Sequence, residues 1–420
     1  MLNPLHLIKT KCHGAVCLCF MAQFLAALDA LIIVPLSADI VLDAGVPAAR
    51  AGYLTTAYSL AAAAAGLILN VSQDKRREKR RILLYLAGIS VATLSLSLVN
   101  HFGLMLVMRM VAGFFGGGLT LVNLNYVLML STDQNKKQQT ATVLSAFPLA
   151  LAVGVPGLLF VAADHWRSGF VCLGLMLAGL LMCVWRGLPS SSATEKARKQ
   201  RKECGKEREE TLVTQAPPLN DGLLWLSVGV IFAAILSTFM VSTQYPVMLQ
   251  VNFGVSEHLL SGCYILSGAC SFLTVQLYGR VSAANFPAHR VIWLLSVLMM
   301  VATWAGFYAS GPQIAASGFV IFVVVSASRT LILMTEVIST LPLRERMKMM
   351  GLQNLLQHLA VGIGGALGSL LIVTLAGQRL DFTGMLQVGL PFMLCSPLLW
   401  QLRSRMLCRS EEAVNRKEAS

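Results

Sequence analysis

The stretch AALDALIIVPL, Ala26 to Leu36, carries one acid in an otherwise apolar run, Asp29. A lone ionised carboxylate in hydrocarbon costs several kcal/mol, about enough to demand a partner or a polar interior. Two chemistries fit it: a fixed ion pair that orders helices, or a proton site whose charge changes between two conformations. Arg109, in RMVAGFFGGGL, is the cation that matches it in depth. From a span start near residue 14, Asp29 lies roughly 22 Å in from one face at 1.5 Å per residue. Arg109 lies about 20 Å from that same face, counted back from the other side of a 30 Å core.

Arg329 and Glu336 form a second ionisable pair, seven residues apart and so on one helix face. They are separated by about 10 Å along the axis, too far to bond directly without bending or water. For Arg329 the alternatives are snorkelling or an interhelical bridge. Gln23, Asn123, Asn125, Gln244 and Tyr245 are further polar groups in apolar runs. They suit either a ligand pocket or hydrogen bonding between helices. No G-x-x-x-x-G-K-[ST] run occurs, which speaks against an ATP-driven pump. The spans also lack the clustered His, Cys or carboxylates of a redox or hydrolytic enzyme, so neither catalysis, a metal nor a cofactor is expected.

These residues must be held by membrane-spanning helices. Of 420 residues, 56% are hydrophobic and 13% charged, where soluble domains average about 25% charged. Twelve apolar blocks lie near 14–37, 49–70, 82–100, 102–127, 140–163, 168–187, 222–245, 257–278, 290–309, 312–338, 350–376 and 384–402. Each is long enough to cross about 30 Å of hydrocarbon. Helices are required, because lipid offers the backbone no hydrogen-bonding partner. The first block is too long for a signal-peptide core and is read as a retained span.

The net charge of +13 follows topology and gives no sign of nucleic acid. With the N-terminus cytoplasmic, 28 of the 33 Lys and Arg fall on the cytoplasmic face. Arg50, Arg167 and Arg379 fall on the other, and Arg109 and Arg329 lie inside spans. That asymmetry is the positive-inside pattern, and both termini are expected in the cytoplasm. The ten Cys lie mostly in apolar blocks with no CxxC pairing and read as small buried hydrophobes.

The polar, charged segment 188–221 reads as a cytoplasmic linker between two six-span units, 1–187 and 222–402, with a cytoplasmic tail at 403–420. Basic residues recur in the same loop of each unit, in GLILNVSQDKRREKRRILL and in YGRVSAANFPAHRVIWLL. Six-span repeats with a site near the midplane between them are a transporter architecture.

At this level the chain resembles the major facilitator superfamily, closest to its twelve-span drug:proton antiporter-like branch. The resemblance rests on LDALIIVPLSADI with AGYLTTAYSLAAAAAGL, on RMVAGFFGGGL, on LAVGVPGLL with DHWRSGF, and on GLQNLLQHLAVGIGGALG. Gly66, Asp74, Lys75, Arg80 and Arg81 are similar to the family's basic gating loop, with insertions and without its second glycine. The Gly-Pro pair of the family's fifth span is split as Gly154-Val155-Pro156. The resemblance implies an all-α integral membrane protein of twelve helices in two pseudo-symmetric six-helix bundles. It implies proton-coupled efflux of a small, partly apolar compound by alternating access, with Asp29 and Arg109 in the coupling. Gating and packing would fall to Gly66, Asp74, Arg80, Arg81, Gly113, Gly116, Gly117, Gly154, Pro156 and Gly157. The expected partners are a small-molecule substrate, protons and the lipid bilayer; a monomer in a bacterial inner membrane is expected. An importer or uniporter of the same fold, or a transport-inactive receptor, are the alternatives.

Overall fold

The computed structural model of the protein describes residues 4–70, 72, 74–131, 135–189, 221–281, 287–341, 343–375, 377 and 379–418. Most of the 188–221 linker lies outside the described residues. Among the described residues, ten helices are long and apolar enough to cross a membrane. Helices Glu257–Val281 and Leu343–Leu370 occupy the eighth and eleventh places, so every expected span is helical. The helices are called spans 1 to 12 in chain order. Spans 1–6 pack into one bundle and spans 7–12 into another.

Several boundaries differ from the sequence expectation, each for a local reason. Span 3 starts at Lys75, inside the basic run, because Asp74 accepts a hydrogen bond from the Arg76 N–H at 2.9 Å and caps the helix. The basic residues Lys75 to Arg81 therefore sit on the first two helical turns rather than in a loop. Span 7 runs Asp221–Ser242 and resumes as Tyr245–Phe253, with Gln244 at the break. Pro246 has no N–H for the Ser242 carbonyl one turn earlier, and the ladder breaks there. Gly254, at φ +64°, ends the second piece in the left-handed conformation a side chain would strain.

Span 5 contains a π-helical turn, Ala150–Gly154, that ends two residues before Pro156. The missing proline N–H again disrupts the regular ladder. Span 11 stops at Leu370 instead of 376, and Val373–Thr374 then pairs antiparallel with Leu380–Asp381. Span 12 is Thr383–Met393 followed by Cys395–Glu418, so the expected tail from 403 is a continuation of the helix.

Within the first bundle, spans 2 and 4 touch backbone to backbone. A Cβ on Gly113 would overlap the Tyr58 carbonyl, and one on Gly117 would lie 2.7 Å from the Ala62 Cα. Small residues alone permit that approach. The two bundles meet along three lines toward the basic-poor face. In the first, Thr56 of span 2 donates to the Gly362 carbonyl of span 11 at 2.9 Å, and Gly52 lies against Gly365. In the second, Ser261 of span 8 donates to the Pro156 carbonyl of span 5 at 3.2 Å, while Gly268 packs on Ala152. In the third, Gln250 of span 7 donates to Asp39 of span 1 at 3.2 Å.

Candidate functional site

Asp29 and Arg109 are both 0% exposed. The Arg109 Nη1 lies 3.3 Å from Asp29 Oδ2, and its Nη2 donates to the Asp29 backbone carbonyl at 3.1 Å. Thr93 of span 3 donates to the other carboxylate oxygen at 2.8 Å. Tyr58 of span 2 places its ring 4.5 Å from the guanidinium carbon, a cation–π contact. Spans 1, 2, 3 and 4 thus converge on one carboxylate. The close approach of span 2 at Gly113, one turn from Arg109, brings the Tyr58 ring under the guanidinium. Arg109 Nε has no hydrogen-bond partner among the described residues.

The depth match between Asp29 and Arg109 is therefore realised as direct contact. Sequence reasoning missed Thr93 and Tyr58. A threonine in span 3 carries no signal that separates it from the other hydroxyls of that span. Tyr58 lies in the AYSL stretch of span 2, but its ring contact depends on packing. Chemically, the arrangement is a desolvated ion pair with one additional donor. Removing the negative charge leaves Arg109 held only by a backbone carbonyl and a ring, so the charge state of Asp29 is felt by all four spans.

A neutral network lies on the same two helices toward the basic-rich face. Asn123 donates to the Cys19 carbonyl at 2.8 Å and to Gln23 Oε1 at 3.4 Å, while Gln23 donates to Thr120 at 3.3 Å. It joins spans 1 and 4 as interhelical hydrogen bonding. Asn125 points elsewhere: it donates to the Ser72 carbonyl at 2.8 Å, holding the segment between spans 2 and 3.

The other expected pocket groups are dispersed. Gln244 is buried at the span 7 break and donates to Ser369 of span 11 at 2.9 Å, against Gly52 at the seam. Tyr245 is enclosed by Phe307, Phe319 and Phe322 and donates to the Ala302 carbonyl at 3.3 Å, inside the second bundle. Arg329 is also internal to that bundle. It donates to the Ala234 carbonyl at 2.8 Å, to Ser237 at 3.0 Å, to Thr238 at 3.1 Å and to the Met393 carbonyl at 3.1 Å. The Met393 carbonyl is the one that Pro397, lacking an N–H, leaves unpaired in the helix ladder. Arg329 thus fills a gap created by a proline, and in this conformation neither it nor Tyr245 faces a pocket. Glu336 is half-buried at the far end of span 10.

In the basic segment, Arg81 donates to the Asn70 carbonyl at 2.6 Å and pairs with Glu78 at 3.0 Å. Glu78 is fully buried and also accepts from the Ser72 N–H at 2.6 Å. This acid inside KRREKRR closes the turn, and its three-residue spacing from Arg81 was the signal for it. Lys79 donates to the Trp185 and Leu188 carbonyls at 2.9 and 2.6 Å, covering the end of span 6. Arg80 is exposed. The nearest atom to a Cβ on Gly66 is Leu121 Cδ1 at 4.0 Å, and Gly157 has nothing within 4 Å, so neither makes the close contact expected of it. Gly116, by contrast, packs tightly on the Tyr58 hydroxyl, and Gly154 packs on Leu28 of span 1.

The sequence model of the Major Facilitator Superfamily matches residues 19–364. A chloramphenicol resistance protein of Streptomyces lividans is 26% identical over 311 residues, 71% of each chain. An uncharacterized MFS-type transporter of Bacillus subtilis (strain 168), YbcL, is 23% identical over 239 residues, 56% of this chain and 57% of that one. Among solved structures, a bacterial homolog of the human lysosomal transporter Spinster, inward-facing and unoccupied, superposes with a TM-score of 0.70 at 15% identity, covering 96% of this chain and 98% of that one. A D-xylose-proton symporter gives 0.69 at 13% identity, covering 92% and 97%. At these identities the structures establish a shared fold.

Proposed function

The chain belongs to the Major Facilitator Superfamily, as a secondary transporter embedded in a membrane rather than an enzyme, and we propose that it exports a small, partly apolar compound in exchange for protons. The observation that carries this reading is the fully buried Asp29, held by Arg109 and Thr93, with Arg109 its one charged partner among the described residues. Likeness to a chloramphenicol resistance protein supports the export direction and the class of cargo. The basic-rich face is the cytoplasmic one, the membrane is a bacterial inner membrane, both termini are cytoplasmic, and the chain works as a monomer.

In this mechanism the carboxylate of Asp29 is the proton carrier. Loss of its charge frees Arg109 from the ion pair, and the attachment of span 1 to spans 3 and 4 weakens. Span 1 also reaches the seam between the bundles through Asp39 and Gln250, so a change at Asp29 is transmitted to the contacts that close the outer side. Rocking of one bundle against the other then exposes the site to either face. The proton gradient supplies the driving force, the electrical part being about 2.3 kcal/mol per charge per 100 mV.

The test is accumulation of chloramphenicol, and of ethidium as a cationic comparison, in cells expressing wild type or Asp29→Asn at equal membrane levels. Each is measured with and without a protonophore. Wild type is expected to lower accumulation of at least one compound, and both the substitution and the protonophore to abolish that. Export by Asp29→Asn equal to wild type under an imposed gradient would make the aspartate structural and overturn the coupling.

A further inference from the structure

The contact between the bundles is tight toward one face and opens toward the other, and a polar pair stands where it opens. Along span 11, Asn354, His358, Gly362 and Gly365 share one face, by their spacings of four and three. Gly362 and Gly365 press on span 2: their Cβ positions would lie 2.9 Å from a Leu60 side-chain atom and 3.0 Å from Thr56 Oγ1. One and two turns toward the basic-rich face, His358 and Asn354 are only half-buried. The facing surface of span 2 is uncovered in step. Leu60 is 42% exposed and Leu67, two turns further along the same face, is 68% exposed. The seam closed at Thr56–Gly362 therefore becomes a cleft at His358.

No described residue hydrogen-bonds to the free groups of this pair. Asn354 Nδ2 is buried with no hydrogen-bond partner among the described residues, and His358 bonds to none of them. The other two amides of this stretch turn away. Gln353 donates weakly to the Met334 sulfur at 3.8 Å, and Gln357 shares the face of Gly364, which packs on span 7. Polar groups in a membrane domain are costly unless satisfied. An imidazole and an amide left free, side by side in a cleft between the bundles, have the chemistry of a binding face.

The two facing surfaces of spans 2 and 11 carry no carboxylate for a cationic cargo among the described residues. Span 2, Gly52–Ile68, contains no acid, and neither does the stretch from Gly351 to Gly368. Asp29 is sequestered by Arg109 with no exposure. Leu60, Ala64 and Leu67 supply apolar surface opposite.

We propose that His358 and Asn354 are the polar half of the substrate site, and that they select an electrically neutral compound with hydroxyl or amide groups on an apolar body. This rests on the transporter reading above. The imidazole and the amide each offer a donor and an acceptor, so they match a hydroxyl or carbonyl without a charge. Substrate bound here bridges spans 11 and 2 and so reports on the seam that must open and close.

Equilibrium binding to the purified full-length protein in lipid nanodiscs tests this, with labelled chloramphenicol as the neutral probe and ethidium as the cationic one. His358→Ala and Asn354→Ala are each expected to weaken chloramphenicol by about tenfold, the worth of one hydrogen bond to ligand. His358→Gln, which keeps a donor and acceptor, should stay within roughly threefold of wild type. Asn354→Asp is expected to admit ethidium, an outcome that damage to the fold would not produce. Chloramphenicol binding that is equal in wild type and both alanine variants overturns the assignment, and so does wild type that fails to bind chloramphenicol. If cellular export proves insensitive to protonophore while binding still depends on His358, proton coupling falls and this site stands.

Discussion

Asp29 and Arg109, 80 residues apart in the chain, meet at 3.3 Å with no solvent contact on either side chain. The pair is not self-sufficient. One carboxylate oxygen takes a hydrogen bond from Thr93, and the guanidinium rests on the Tyr58 ring. Such a pair gives little net stability, because desolvation offsets most of the attraction, but breaking it from one side leaves a buried charge alone.

Arg109→Ala is therefore expected to destabilise the protein by about 3–5 kcal/mol. It should be read as a lower thermal midpoint in detergent and reduced membrane level. Adding Asp29→Asn to Arg109→Ala should recover part of that loss, since the stranded charge is removed. A double variant no better than Arg109→Ala alone would show that the arginine acts through packing.

Gly113 and Gly157 should respond oppositely to alanine. A methyl at Gly113 would enter the Tyr58 carbonyl, whereas nothing lies within 4 Å of one at Gly157. Gly113→Ala is expected to cost at least about 1–3 kcal/mol through overpacking and to disturb the ring beneath Arg109. Gly157→Ala should be neutral in stability and export. Equal thermal midpoints for the two variants would contradict the packing of spans 2 and 4.

Arg329 is expected to be a structural cation. Arg329→Met strands the carbonyl of Met393, whose helical partner position is Pro397, and costs on the order of 1–3 kcal/mol for the unsatisfied acceptor. Replacing Pro397 by Ala in that background restores an N–H to the ladder and should return some stability. Its substrate KM should move little in Arg329→Lys. A KM raised by about tenfold with stability unchanged would instead place the cation in contact with substrate.

Asp381, in the turn before span 12, accepts from the Thr383 N–H at 2.9 Å and from its hydroxyl at 2.6 Å. These bonds hold its carboxyl below the usual range. A depressed folded-state value contributes stability that is present above the unfolded pKa of about 3.9 and is lost as pH falls through the folded value. The gap in thermal midpoint between wild type and Asp381→Ala should thus be constant from neutral pH to the ordinary aspartate range and close only below it. A gap that grows on acidification would invert the sign.

Much of the fold was legible because lipid imposes a one-dimensional rule. Each crossing must be an apolar helix of fixed minimum length, and Lys and Arg choose the face. Helix ends were less legible. Pro246 and Asp74 shift them by local backbone chemistry that an apolar window does not weigh. In the candidate site, Asp29 and Arg109 stood out as the wrong residue types for their surroundings, and their depths could be counted from the helical rise. Asn125, Tyr245 and Arg329 showed the same signal and turned out to serve a loop carbonyl, an aromatic cluster and a proline gap.

The sequence by itself determined the order of the long apolar helices, how the basic residues divide among the segments between them, and which charges fall within them. These depend only on composition along one axis. The tertiary structure alone decided that Thr93 reaches Asp29, that Met393 occupies Arg329, and that His358 is half-buried with no partner among the described residues. Those outcomes depend on the rotation of each helix about its own axis and on which helices are neighbours. Contacts between residues 64 to 306 positions apart set both, and no local pattern encodes them.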